Sequence, residues 1–253
     1  MKIFIGLVVF GYLAICILFF IFQRSFLYFP QPASYANEIT TTFNNNGQKL
    51  TGWVLNPGQK HLLLYYGGNA SAIENHIDFF NQVAPQHTVY LIPYRGYGNN
   101  KGTPTEEGLY SDALHIYGHL IKNYESVTLM GSSLGSGVAT FVAANREINK
   151  LVLVTPYDSI ENVAKTHYPF LPVSLLATDK FLSAARAPKI TAKTLILIAE
   201  NDQVIARERS EALANEFDPK RLTKIVIAGA NHNDISTHTN YIESLQEFLR
   251  VVD

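Results

Sequence analysis

From Ile3 to Phe22 the chain runs for twenty residues without a charge, and no other feature restricts it so strongly. As a helix such a run is ~30 Å long, the thickness of a bilayer's hydrocarbon core. Lys2 precedes it and Gln23-Arg24 follow it. Phe26, Tyr28 and Phe29 come next, rings of the kind that gather at a membrane interface, and Pro30 and Pro32 end the segment. The run is longer than the apolar core of a cleaved signal peptide, and Ser34-Tyr35-Ala36 is a poor cleavage site. A lipoprotein signal ending at Cys16 would want a small residue in place of Ile15, and the apolar run continues six residues beyond the cysteine. Residues 1–35 therefore read as an uncleaved single-pass anchor with a juxtamembrane segment, its partner the lipid bilayer. Lys2 and the α-amine on one side against Arg24 on the other slightly favour a globular part on the non-cytosolic side.

Residues 36–253 read as one α/β domain. The chain is 47% hydrophobic, enough for a sizeable core. Twenty Lys+Arg against 21 Asp+Glu leave a net charge of −1, which excludes a basic footprint for nucleic acid. The single cysteine excludes a disulfide framework and a cysteine-built zinc site. Strands are expected at Ile39–Phe43, Lys49–Leu55, His61–Tyr66, Thr88–Ile92, Val127–Met130, Leu151–Val154, Thr194–Ala199 and Thr223–Ile227. Several are continuously apolar, as strands covered on both faces are. Helices are expected at Ala72–Ala84, Thr105–Lys122, Leu134–Asn145, Ala206–Phe217 and Thr237–Val251. The first strands suit a hairpin, and the later alternation suits parallel strands with right-handed crossovers. The expected architecture is a mostly parallel eight-stranded sheet flanked by helices. Residues 155–192 interrupt the alternation with Pro156, Pro169, Pro172 and Pro188, and read as a small helical cap. Its Phe170, Leu171, Val173, Leu175 and Leu176 suit either cover for an acyl chain or packing of cap on core.

The chemistry is concentrated in loops that follow strands. Gly131-Ser132-Ser133-Leu134-Gly135 fits G-x-S-x-G between a strand and a helix, which places Ser133 on a sharp turn with its Oγ exposed. The plain alternative is a Gly/Ser turn that starts a helix. A dinucleotide-binding loop on Gly131, Gly135 and Gly137 fits poorly, because it follows the fifth strand and the Tyr-x-x-x-Lys pair Tyr97/Lys101 lies upstream. A serine hydroxyl needs a base, and the base an orienting acid. His232, just after the last strand, is the expected base, with His238 in reserve. Asp202 is the expected acid, with Asp158 the alternative. The order Ser133, Asp202, His232 is that of α/β-hydrolases. The oxyanion donors are expected to be the amides of Leu134 and of Asn69 in the loop Gly67-Gly68-Asn69-Ala70. His115 and His119 lie four apart on one helix and read as a solvated or half-buried face, without the glutamate of an H-E-x-x-H metal motif. Tyr94-Arg95-Gly96-Tyr97-Gly98 reads as a structural loop, with Arg95 bracing it.

FQRSFLYFP, YRGYG, GTPTEEGLYSDA, GSSLGSG, AENDQVI and ANHND occur in this order over nearly the whole chain. In this the chain resembles the membrane-anchored α/β-hydrolases related to the fungal bud-emergence hydrolase, near the serine aminopeptidase-like branch and the protein depalmitoylases. The resemblance implies the same triad, the same oxyanion loop, and hydrolysis of acyl esters or thioesters of a small molecule or an acylated protein. It calls for no cofactor. Two departures stand out: the group's His-Gly-Asn-Ala loop begins here with Gly67, and Pro93 precedes YRGYG. A non-catalytic scaffold with this fold, a serine peptidase and a secreted esterase are the competing expectations.

Overall fold

The structure, a computed structural model, describes residues 1–33 and 41–251. The expected boundary at 35/36, the Ser34-Tyr35-Ala36 site and Ile39-Thr40 of the first expected strand lie outside the described residues. The strands are β1 Thr41–Asn45, β2 Gln48–Leu55, β3 His61–Tyr66, β4 His87–Leu91, β5 Ser126–Ser132, β6 Lys150–Val154, β7 Lys193–Ala199 and β8 Leu222–Ile227. They form one sheet in the order β1-β2-β4-β3-β5-β6-β7-β8. β1 and β2 are antiparallel, as are β2 and β4; every later pairing is parallel. This is the α/β-hydrolase architecture.

The continuous apolar runs are explained by cover on both faces. Leu62, Leu64, Leu129, Leu151, Leu153 and Ile196 face helices α3 (Glu106–Leu120) and α4 (Leu134–Asn145). Their alternates Leu63, Tyr65, Met130, Val152, Leu195 and Leu197 face α2 (Ile77–Val83) and α8 (Thr239–Leu249). A strand's side chains alternate in direction, so burial of both sets requires apolar residues at successive positions. Thr105 caps α3 by accepting from the Gly108 amide, with Glu106 and Glu107 in the first turn.

The expected helix at 72–84 begins as a 3-10 turn, Ile73–His76, before α2. Helix α7 (Arg207–Ala214) stops three residues before the expected Phe217. The segment 155–192 carries two short helices, α5 (Ile160–His167) and α6 (Val173–Leu176).

Helix α1 (Lys2–Leu27) continues five residues past the uncharged run and docks on that segment. The Arg24 guanidinium reaches both carboxylate oxygens of buried Asp179 at 3.1 and 3.2 Å, and the Tyr28 hydroxyl donates to the same carboxylate at 2.9 Å. Gln23 donates to the Leu176 carbonyl and accepts from the Thr178 amide, and the Tyr12 hydroxyl donates to the Phe170 carbonyl.

The loop after β4 is braced as expected, and the partner of Arg95 is Asp112 on α3. Arg95 donates from Nε and Nη2 at 2.8 and 2.7 Å, while Asn45 donates to the same carboxylate at 2.9 Å. Asp112 is buried, so loss of its cation leaves an uncompensated charge. We expect Arg95→Ala to cost about 3–5 kcal/mol in chemical unfolding. Adding Asp112→Ala should recover part of that loss in a double-mutant cycle; strictly additive losses would show that the pair is not coupled.

Candidate active site

The site lies at the carboxyl ends of the parallel strands. Ser133 sits between β5 and α4 with φ 50° and ψ −118°, a left-handed conformation costly for a residue with a side chain. Close packing holds it there. A Cβ on Gly135 would stand 2.0 Å from the Tyr66 carbonyl oxygen of β3, so only glycine lets α4 approach the sheet this closely. The Ser133 amide donates to the Val154 carbonyl of β6 at 2.9 Å.

Three of the expected residues, each following a different strand, meet here. Ser133 Oγ lies 3.0 Å from His232 Nε2, and His232 Nδ1 lies 2.7 Å from Asp202 Oδ2. The imidazole is 9% exposed and the carboxylate 2%. An ionised carboxylate only accepts, so Asp202 selects the tautomer with its proton on Nδ1 and leaves Nε2 free to accept from Ser133. Asp202 is fixed in turn: its Oδ1 accepts from the amides of Val204 and Ile205 at 2.9 and 2.8 Å. Asp234 steadies the His232 loop by accepting from the Asn231 amide and side chain.

The alternatives lie elsewhere. Asp158 accepts from Arg209, Asn162 and the Ser159 amide, a buried structural role. His238 caps α8 rather than lying inside it, and lies 3.6 Å from Asp234. The His115 and His119 rings lie 4.9 Å apart, and no group of three metal-ligating side chains occurs among the described residues. The Tyr97 hydroxyl donates to Asn69, a bracing contact far from dinucleotide chemistry.

The two expected oxyanion donors flank Ser133. Leu134 opens α4, so its amide has no intrahelical acceptor. Asn69 lies on the loop beside Ser133: a Cβ at neighbouring Gly68 would be 3.6 Å from that of Ser133. The Asn69 side chain is a knot that the sequence did not disclose. Its Oδ1 accepts from the Tyr97 hydroxyl at 2.7 Å and the Phe29 amide at 2.9 Å, and its Nδ2 donates to the Leu27 carbonyl at 2.5 Å. Tyr94 adds a hydrogen bond from its hydroxyl to the Gly67 carbonyl at 2.8 Å. The loop that begins with glycine instead of histidine is thus held by two tyrosines and by the end of α1.

Ser133 stands where two cavities meet. One, of about 250 Å³, is mostly apolar and is lined by Ile160, Val163 and Ala164 of α5, Tyr168, and Phe19, Phe26 and Leu27 of α1. The other, of about 140 Å³, is more polar and is lined by Ser71, His76, Ser132 and Asn233. Burial pushes the His76 imidazole down from its ordinary value, which favours its neutral form, and its Nε2 lies 3.2 Å from the Ser71 hydroxyl. The cap residues Phe170, Leu171, Val173, Leu175 and Leu176 line neither cavity. Leu171 and Val173 instead pack on Cys16 of α1, while Phe170 and Leu175 face outward.

Fold and site define an α/β-hydrolase of the serine type, and structural comparison agrees. Est1E from Butyrivibrio proteoclasticus, solved with ferulic acid, superposes with a TM-score of 0.67 at 18% identity, covering 83% of this chain and 98% of its own. The Pyrococcus furiosus esterase Pf2001 superposes with a TM-score of 0.69 at 15% identity, covering 88% and 97%. The family model described as Serine hydrolase (FSH1) matches residues 40–233, and the chain belongs to that family. Among curated proteins, Mycobacterium tuberculosis Rv2307c is 31% identical over 84% of this chain and 81% of its own length. Alpha/beta hydrolase domain-containing protein 17C of Xenopus laevis is 28% identical over 76% of this chain and 62% of its own. The protein is a serine hydrolase of the esterase type.

Gly135→Ala tests the close approach behind Ser133. It should cost about 3 kcal/mol or more, read as a lowered Tm, because the clash is with backbone that cannot rotate away. An unchanged Tm would mean that α4 has room to move from β3.

Proposed function

We propose that the protein is a membrane-anchored hydrolase that cleaves carboxylic esters or thioesters of long-chain acyl groups through an acyl-enzyme on Ser133. The observation that carries this reading is the hydrogen-bonded chain Ser133–His232–Asp202 at the junction of an apolar and a more polar cavity. His232 Nε2 takes the Ser133 proton as Oγ bonds to the acyl carbon. The Asn69 and Leu134 amides receive the oxyanion, each such donor worth about 3 kcal/mol in the transition state. The carbonyl re-forms, the C–O or C–S bond breaks, and His232 protonates the leaving group. Water then repeats the sequence and frees the acid.

The acyl chain fits the apolar cavity, and the leaving group and water fit the more polar one. The substrate is an acylated small molecule or protein at the membrane. Helix α1 supports the anchor: Leu13, Ile17 and most of their neighbours are exposed, a surface that water solvates poorly.

Kinetics on p-nitrophenyl esters and acyl thioesters test the reading. Ser133→Ala should lower kcat by about 10^4-fold or more, and the near-isosteric Asp202→Asn by about 10^4-fold through loss of the correct tautomer. Retained hydrolysis in Ser133→Ala would assign the chemistry to another group.

A further inference from the structure

Between His167 and Asp179 lie eleven residues without a charge, Tyr-Pro-Phe-Leu-Pro-Val-Ser-Leu-Leu-Ala-Thr. They run beside α1. Their inner side chains Leu171 and Val173 are buried against Cys16, with Phe19 alongside. Their outer side chains have no protein cover: Phe170 is 61% exposed and Leu175 84%. In water this is an unfavourable surface, continuous with that of α1.

The depth of the contact matters. Gln23 and Arg24 bind the segment's carboxyl end at Leu176, Thr178 and Asp179. Tyr12 binds its other part at the Phe170 carbonyl. Gln23 and Tyr12 are about 17 Å apart along a helix axis, roughly half of a ~30 Å hydrocarbon core. The segment therefore accompanies α1 well into its uncharged stretch. The charges lie at its base in two sets, Arg24 with Asp179, and Lys180 and Lys165 with Glu161.

Most of the segment's amides are also satisfied within the protein, those of Phe170 and Ser174 excepted. Irregular chain enters a bilayer only where its polar groups are satisfied internally. Pro169 and Pro172 have no N–H to satisfy. The amides of Leu171, Val173, Leu175, Leu176 and Ala177 donate to carbonyls within the segment, and that of Thr178 donates to Gln23. The Ser174 carbonyl accepts from Lys180 Nζ at 2.9 Å.

We propose that residues 168–178 are a membrane-inserted wedge, held in the hydrocarbon beside α1, and that acyl chains pass from the lipid layer along these two elements to Ser133. The apolar cavity fits this route, for its lining extends from Ser133 to Phe19 within the uncharged run and to Tyr168 at the start of the wedge. The insertion rests on α1 spanning the membrane, and the route rests on Ser133 as the nucleophile.

Cys16 is the single cysteine, so Cys16→Ala gives a background for site-specific bimane labelling. The full chain, carrying Phe170→Cys, Leu175→Cys or the exposed control Lys220→Cys, is reconstituted in phosphatidylcholine vesicles. Positions 170 and 175 should be quenched by lipids bearing a nitroxide on the acyl chain at least threefold more than 220, and should resist aqueous iodide. Iodide quenching at 170 and 175 equal to that at 220 would overturn the wedge. Leu175→Asp, outside both cavities, tests the route. It should lower kcat/KM at least tenfold on a vesicle-borne long-chain ester and leave a soluble short-chain ester within twofold. Equal rates on both substrates, relative to wild type, would overturn lateral entry. A wild type inactive on every ester would refute the hydrolase mechanism, while the quenching would still decide the wedge.

Discussion

The approach of α4 to β3 at Gly135 is the constraint on which the site depends. It leaves Ser133 in a left-handed backbone state that costs of order 1–3 kcal/mol, and the sheet's packing on both faces sustains that strain. Once the turn is held, Oγ projects beyond the strand ends, where β7 and β8 deliver Asp202 and His232. The relay spans 3.0 and 2.7 Å; β7 and β8 run two residues past the level at which β5 ends, and the loops that follow them bring Asp202 and His232 to Ser133. Charge and tautomer then follow from simple rules: a nearly dry carboxylate accepts from one ring nitrogen and leaves the other facing the hydroxyl.

A second constraint joins α1 to the chemistry. Asn69 uses its side chain to hold the last turn of α1 and the loop after β4, which leaves its backbone beside Ser133. Arg24 and Tyr28 converge on Asp179 at the same end of α1. Helix α1 is consequently a wall of the apolar cavity. Phe19, Phe26 and Leu27 supply part of that cavity's apolar lining.

The sheet was largely legible because its strands are buried on both sides. His61–Tyr66 and Leu134–Asn145 have the expected bounds, the first from a continuous apolar run and the second from the motif that opens it. The candidate triad was legible because each member follows a strand in hydrolase order. The cavity wall was not. Which face of α1 turns inward depends on Asp179, Leu176 and Thr178, more than 150 residues away, and local patterning carries no such information. The apolar residues at 170–176 were open to two readings for the same reason: their composition suits cover or packing alike, and their direction is set by α1, which takes Leu171 and Val173 and leaves Phe170 and Leu175 outside. The bracing tyrosines were half legible. YRGYG announced a structural loop, but the partners of Tyr94 and Tyr97 are 27 and 28 residues upstream.

The central claim is that an activated Ser133 opens onto an apolar channel walled by α1. The most direct measurement is the rate at which alkylfluorophosphonates of increasing chain length modify the intact protein in vesicles, with the adduct located by peptide mass. The expected result is one adduct, on the Ser133 peptide, formed faster as the alkyl chain lengthens from ethyl to dodecyl. A rate that is flat or falls with chain length, or an adduct on another residue, would contradict it.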